Sequence, residues 1–156
     1  MIVVVMGVSG CGKTTIGKLL ASRLGCAFLD ADEFHPPENV AKMAAGTPLT
    51  DDDRKPWLQA LNGKLREQRN AVLACSALKE SYRQLLSKGL DDCRFVHLHG
   101  EIELIRARLA ERRHRYMPAS LLESQFATLE PPASALAVDI AQSPARCVEA
   151  IVIGLR

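Results

Sequence analysis

With 156 residues, 47% of them hydrophobic and 24% charged, the chain has the size and composition of one ordinary globular domain with a full core. The formal net charge is only +2, and the basic residues are scattered outside residues 106–115, so we expect no nucleic-acid partner. No apolar run approaches the roughly 18 residues of a membrane helix, and no charged segment precedes the first apolar run, so neither a membrane span nor a signal peptide is expected.

The first predicted strand, Ile2–Met6, leads into a glycine-rich stretch, and a helix is predicted from Thr15 to Leu24. The stretch has the spacing G-x-x-x-x-G-K-[ST] of a phosphate-binding P-loop in the required context of strand and helix. Its glycines let the backbone approach an anion, and the loop N–H groups and the helix N-terminus face phosphate oxygens. Lys13 would reach the β- and γ-phosphates, and the Thr14 hydroxyl would also bind Mg²⁺. The residues predicted to bind a nucleoside triphosphate are Gly7, Val8, Ser9, Gly10, Cys11, Gly12, Lys13 and Thr14.

A second short apolar run, residues 26–29, is predicted to be a strand, and Asp30 and Asp32 follow it. Two residues apart, their carboxylates point the same way if the strand geometry continues. Facing a P-loop, one carboxylate would hold the water shell of Mg²⁺ and the other would accept the proton of an attacking hydroxyl. We assign Asp30 to the metal and Asp32 to the acceptor; an ordinary capping pair is the alternative.

The rest of the chain alternates predicted helices with short apolar strands. Helices are predicted at about 37–45, 50–69, 79–88, 101–111, 119–129 and 144–155, and strands at 71–75, 94–98 and 136–140. Thr50 is the first residue of a predicted capping box, but Pro56 makes the first residue of that helix uncertain by several positions. The alternation predicts one α/β domain over residues 1–156, a parallel sheet with helices on both faces. Ligands should bind beyond the carboxyl ends of its strands.

Two features near the end of the chain are candidates for nucleotide contacts. Arg112, Arg113 and Arg115 lie between two predicted helices, in a segment that we interpret as a lid at about residues 111–119. Lid guanidinium groups would neutralise the transferring phosphoryl group and exclude water, with Arg112 assigned to the nucleotide; a solvated basic loop is the alternative. Pro144 follows the fifth strand and is assigned either to the adenine pocket or to the start of the last helix.

A P-loop alone does not distinguish motors, switches and kinases. The third strand ends in Ala74-Cys75-Ser76, with no acidic residue where a motor ATPase holds Mg²⁺, and the N-K-x-D motif of GTPases does not occur. A kinase is therefore favoured. A module that binds ATP to regulate a partner and transfers nothing is the alternative from another class, and the paired aspartates argue against it.

Some residues that often mark functional sites receive ordinary roles. The five cysteines are odd in number and form no C-x-x-C motif, which favours reduced thiols in the cytoplasm. His97 and His99 share a strand face but lack an evident third metal ligand, so a structural role is expected. Trp57 is predicted to be a core or hinge residue rather than a stacking platform.

Several stretches together resemble the gluconate kinase family. They are residues 7–14 with 30–36, residues 39–43 with 46–58, residues 75–79 with Tyr82 and Arg83, and residues 125–130. The blocks DDDRKPW and CSALK are specific, whereas the P-loop is generic. A shikimate-kinase-like or nucleotide kinase is the alternative within the same class.

The resemblance implies ATP-dependent, Mg²⁺-dependent phosphorylation of D-gluconate to 6-phospho-D-gluconate in carbohydrate metabolism. It implies a three-layer, nucleoside-monophosphate-kinase-like fold with a five-stranded parallel sheet and a lid, and a homodimer. Arg54 would clamp the gluconate carboxylate in a bidentate way. Cys11 stands where a serine is expected, and little change follows because the backbone supplies the donors. The residues implied to contact gluconate are Asp32, Arg54, Ser76, Lys79 and Arg83.

Overall fold

The computed structural model describes residues 1–111 and 119–156, and only the backbone of residues 119 and 120. In chain order its helices and strands are β1 (Ile2–Met6), α1 (Lys13–Leu24), β2 (Ala27–Asp30), a short 3₁₀ helix (Ala31–Phe34), α2 (Pro37–Ala44), α3 (Asp51–Arg66), β3 (Ala71–Ala74), α4 (Glu80–Ser87), β4 (Cys93–His99), α5 (Ile102–Ala110), α6 (Ala119–Thr128), β5 (Leu136–Asp139) and α7 (Pro144–Leu155).

The strands form one five-stranded parallel sheet in the order β2-β3-β1-β4-β5, which confirms the predicted fold class. Strand β1 lies in the middle, with Ile2 paired to Ala71 of β3 and to Cys93 of β4. The chain turns to one side of β1 to build β2 and β3 and to the other side to build β4 and β5. The crevice beyond the carboxyl end of β1 is therefore the position at which such a sheet binds ligands.

Strand β1 separates two hydrophobic cores. Val3 and Val5 face a core completed by α1 and α7, with Leu20 and Ile151 among its members. Ile2, Val4 and Met6 face a second core completed by α3 and α4, with Leu61 and Leu86 among its members. Each residue of β1 is at most 3% exposed, as expected for a strand covered on both faces.

Helix α3 resolves the uncertainty that Pro56 creates in the sequence. The helix begins at Asp51 behind the predicted capping box, in which the Thr50 hydroxyl accepts from the Asp53 N–H and the Asp53 carboxylate accepts from the Thr50 N–H. Pro56 lies inside the helix on its exposed side. Water can satisfy the carbonyl that loses its partner there, so the helix continues. It ends at Arg66, about a turn before the predicted end.

The expectation that strand geometry continues from Asp30 to Asp32 is wrong. The chain turns into the 3₁₀ helix directly after Asp30, and the Asp30 carboxylate caps that helix by accepting from the Asp32 N–H at 3.0 Å. A short polar side chain that can bond the backbone two residues later favours such a turn over an extended strand.

Most of the predicted lid, including Arg112, Arg113 and Arg115, lies in residues 112–118, outside the described residues. The helices predicted to flank it are present as α5 and α6. Among the helices that the structure describes, none is long and apolar enough to cross a membrane.

Candidate active site

The P-loop leaves the carboxyl end of β1 and returns as the first turn of α1. Gly10 and Gly12 have φ angles of 85° and 96°, in the left-handed region that favours glycine. Space is also short, because a Cβ atom on Gly7 would lie 2.7 Å from the Leu98 carbonyl oxygen. These constraints explain the glycine positions of the motif. The Cys11 side chain is fully buried, so only its backbone can face a ligand.

The end of β2 is tied to the P-loop by a contact between the two predicted metal-binding residues. The Thr14 hydroxyl lies 3.2 Å from Oδ2 of Asp30 and donates to it. A hydroxyl and a carboxylate are hard oxygen ligands of the kind that Mg²⁺ prefers. Asp30 is therefore both a cap of the 3₁₀ helix and a neighbour of Thr14, and the two interpretations of this residue do not exclude each other.

A cavity of about 960 Å³ lies beyond the carboxyl ends of the strands and joins the P-loop to the predicted acceptor residues. Burial raises the pKa of Cys75, which lines this cavity, to about 12, so its thiol stays protonated and is no nucleophile at neutral pH. The sequence-predicted residues that line the cavity are Ser9, Gly10, Gly12, Lys13, Thr14, Asp30, Asp32, Arg54, Ser76 and Lys79.

On the donor side of the cavity, Lys13 is held by its own loop. Its ammonium group donates to the Val8 carbonyl oxygen at 3.0 Å. The side chain is half-buried and thus stays beside the loop, from which it can reach an incoming phosphate.

On the acceptor side, Arg54 and Lys79 are linked through Tyr82 and Asp51, which were not predicted as site residues. The Asp51 carboxylate accepts hydrogen bonds from the Tyr82 hydroxyl and, at 3.1 Å, from the Lys79 ammonium group. These bonds, that of Tyr82 first, lower the pKa of Asp51, and the bond to Asp51 raises the pKa of Lys79. Arg54 donates to the Tyr82 hydroxyl at 3.1 Å. Two cations are therefore fixed side by side at the cavity wall.

His35 and Gln125 also line the cavity and were not predicted as site residues. The His35 ring stacks on Trp57, with ring centroids 4.0 Å apart. Trp57 is buried in the second core, as predicted. Gln125 of α6 accepts from the Ser9 N–H at 2.7 Å and donates to the Ser9 hydroxyl at 3.1 Å.

Among the described residues, five of the predicted site residues do not line the cavity: Gly7, Val8, Cys11, Arg83 and Pro144. Arg83 is buried and donates to the Ala77 carbonyl at 2.7 Å and to the Glu130 carbonyl at 2.8 Å. Ala77 has a φ angle of 45°, so Arg83 supports the strained loop that precedes Lys79 rather than lining the cavity. Pro144 is the first residue of α7, as the helix-start interpretation predicts, and does not line the cavity. Arg112 lies outside the described residues.

The P-loop follows the central strand of a parallel sheet and shares a cavity with two aspartates and two fixed cations. This is the arrangement of a P-loop kinase. Comparisons with known proteins agree. The shikimate kinase family model matches residues 9–130. The gluconokinase of Gluconobacter oxydans is 53% identical, over 83% of this chain and 75% of that protein. The thermoresistant gluconokinase of Escherichia coli is 44% identical, over 90% of this chain and 85% of that protein.

A crystal structure of a gluconokinase from Sinorhizobium meliloti superposes with a TM-score of 0.92 and 44% identity, covering 98% of this chain and 90% of that one. The chain belongs to the gluconokinase family, within the wider group of kinases that the shikimate kinase model describes. The family resemblance stated from the sequence is thereby confirmed, and the protein is a kinase that uses ATP.

Proposed function

We propose that the protein transfers the γ-phosphoryl group of ATP to the 6-hydroxyl of D-gluconate, giving ADP and 6-phospho-D-gluconate. The observation that carries the proposal is the shared cavity, in which the P-loop lies opposite Asp32 and the cations Arg54 and Lys79. The gluconokinase names of its relatives support gluconate as the acceptor.

On the donor side, the P-loop N–H groups and the N-terminus of α1 would bind the β- and γ-phosphates. Lys13 would exchange its bond to the Val8 carbonyl for the phosphate oxygens and neutralise the charge that develops there. Thr14 and Asp30 fit as Mg²⁺ ligands, because their oxygens meet at the edge of the P-loop. When bound, the ion would withdraw charge from the phosphates.

On the acceptor side, Arg54 and Lys79 would bind the gluconate carboxylate, and Ser76 would bond a hydroxyl group. Asp32 would orient the attacking hydroxyl and accept its proton as the oxygen bonds to phosphorus and the bond to the ADP oxygen breaks. Since this chemistry depends on positioning and charge neutralisation, one poised carboxylate and several cations suffice. Arg83 would act indirectly, by holding the loop of Ser76 and Lys79.

We also propose roles for Arg112 and Pro144, a location and an oligomeric state. Arg112 of the lid would contact the nucleotide. Pro144 would contact adenine only if the start of α7 lies against the bound nucleotide. The protein would work as a single-domain kinase in the cytoplasm, as a homodimer. The five free cysteines support a reducing compartment.

A panel of acceptors tests the proposal. Purified protein with Mg·ATP is assayed for ADP release with gluconate, shikimate, glucose and AMP, and the product is identified by mass spectrometry. Gluconate should exceed glucose in kcat/KM by at least about 10²-fold, because glucose offers no carboxylate to Arg54 and Lys79. Lys13→Ala protein, prepared in parallel, controls for contaminating kinases.

Equal turnover across the panel would reject gluconate as the specific acceptor. Preference for shikimate, which also carries a carboxylate, would favour the wider family's substrate. Tight ATP binding with no acceptor-stimulated ADP release would instead favour the regulatory ATP-binding module.

A further inference from the structure

His35 is held in one orientation at the wall of the cavity. Its side chain is only 3% exposed, and its ring lies almost parallel to that of Trp57, with an interplanar angle of 17°. Trp57 is itself fixed, because its indole N–H donates to the Ala31 carbonyl at 2.8 Å. The stack therefore fixes the plane of the imidazole next to Asp32.

The neighbour Asn39 fixes which ring nitrogen carries the proton. Nδ2 of Asn39 lies 2.9 Å from the Asp53 carbonyl oxygen, which can only accept, so this atom is the amide nitrogen. The same nitrogen lies 3.3 Å from Nδ1 of His35. Because an amide nitrogen only donates, Nδ1 must accept, and the ring proton is left on Nε2.

The protonated nitrogen is aimed at Asp32. Nε2 of His35 lies 3.9 Å from Oδ1 of Asp32, so an approach of about 1 Å would bring the pair into hydrogen-bond range. Burial lowers the pKa of His35 and outweighs the opposite effect of Asp32, and Arg54 adds to the lowering. At neutral pH the ring is therefore a neutral donor, which cannot itself accept the proton of a substrate through Nε2.

We propose that His35 is a positioning residue, whose Nε2–H holds the Asp32 carboxylate towards the acceptor hydroxyl in the reacting complex. The inference rests on the proposed function, since it takes Asp32 to be the group that acts on the acceptor. A donor held rigidly beside the carboxylate would fix the orientation in which Asp32 meets the acceptor hydroxyl. The rigid stack on Trp57 supplies that donor.

The tautomer can be tested without any activity. Long-range ¹H–¹⁵N correlation spectra of the uniformly labelled protein at neutral pH should give His35 the pattern of a neutral ring protonated at Nε2. His35→Gln protein identifies the signal. A ring protonated at Nδ1, or an imidazolium, would overturn the proposal even if the kinase assay succeeds. The spectra report the tautomer whether or not gluconate proves to be the acceptor.

Kinetics of two variants test the role. His35→Phe keeps a ring on Trp57 but removes both nitrogens, whereas His35→Gln keeps a donor near the position of Nε2. We expect kcat to fall about 10- to 100-fold in His35→Phe, which is part of the 10²–10⁴-fold rate enhancement that general acid–base catalysis contributes. The KM values for gluconate and for ATP should each change by no more than about threefold, and His35→Gln should recover most of kcat. His99→Phe, an exposed position outside the cavity, is the control.

Two results would reject the positioning role. A raised KM for gluconate at unchanged kcat would make His35 a residue of ground-state binding. Equal losses in His35→Phe and His35→Gln, accompanied by a lower melting temperature, would reduce its role to packing. If His35→Phe fails to fold, His35→Gln and the spectra still decide the question.

Discussion

Asp32 lines the cavity three residues before His35, and in the proposed function it accepts the proton of the attacking hydroxyl. Asp32→Asn keeps the shape of the side chain but removes its ability to accept a proton. We expect kcat to fall about 10²–10⁴-fold while the dissociation constant of Mg·ATP stays nearly unchanged. Steady-state kinetics and nucleotide titration measure the two effects separately.

The matched control is Asp52→Asn, an exposed aspartate of α3 that does not line the cavity; it should leave both quantities unchanged. Loss of nucleotide affinity at near-normal kcat in Asp32→Asn would instead place Asp32 in the metal site. Asp30 would then have to be reconsidered as the group that acts on the acceptor.

Single residues of the site were predictable from sequence where a local motif fixes them. Lys13 and Thr14 follow from the spacing of the P-loop, and Asp30 and Asp32 follow from a strand end that must face it. His35, Tyr82 and Gln125 could not be predicted in the same way, because their roles depend on contacts with distant residues. The His35 stack needs Trp57, and Gln125 meets Ser9 from the far end of the chain.

Helix α6 contacts the P-loop through Gln125. The side chain occupies both the N–H and the hydroxyl of Ser9, and so holds the loop in shape before a nucleotide arrives. Gln125→Leu removes both bonds at similar volume. With two net hydrogen bonds of about 0.5–1.5 kcal/mol each, the dissociation constant of ATP should rise about 5- to 150-fold, as measured by titration calorimetry.

Glu123→Gln on the same helix is the control, because Glu123 pairs with Arg106 and does not line the cavity. It should leave ATP binding unchanged. Tighter ATP binding in Gln125→Leu would mean that Gln125 competes with the phosphates for Ser9 rather than preparing the loop for them.

The elements themselves were largely predictable, since buried strands such as Ile2–Met6 are short apolar runs bounded by turns. The capping box at Thr50 predicted the start of α3 correctly. Pro56 made that start uncertain, because the sequence does not show whether the lost hydrogen bond faces solvent, where a proline inside a helix is tolerated. The 3₁₀ helix after Asp30 was missed, since a side-chain cap replaced the expected strand. Strand order was not predictable either, because it is set by the packing of distant elements.

In the whole molecule, the two halves of the site depend on different cores. Val8 and Cys11 anchor the P-loop in the core of α1 and α7. Trp57 and Tyr82 anchor the acceptor side in the core of α3 and α4. The cores share β1, whose alternate side chains enter each of them, so the donor and acceptor sides should keep their relation only while the sheet is intact.

This arrangement predicts that the molecule unfolds as one unit. Leu61→Ala in the second core and Leu20→Ala in the first each truncate a fully buried side chain, and each should lower the free energy of unfolding by about 2–5 kcal/mol. Urea unfolding is followed by the fluorescence of Trp57, the single tryptophan, and by far-ultraviolet circular dichroism. The two transitions should coincide in the parent protein and in both variants. If Leu61→Ala moves the fluorescence transition but not the dichroism transition, the acceptor side unfolds separately and the shared strand does not couple the cores.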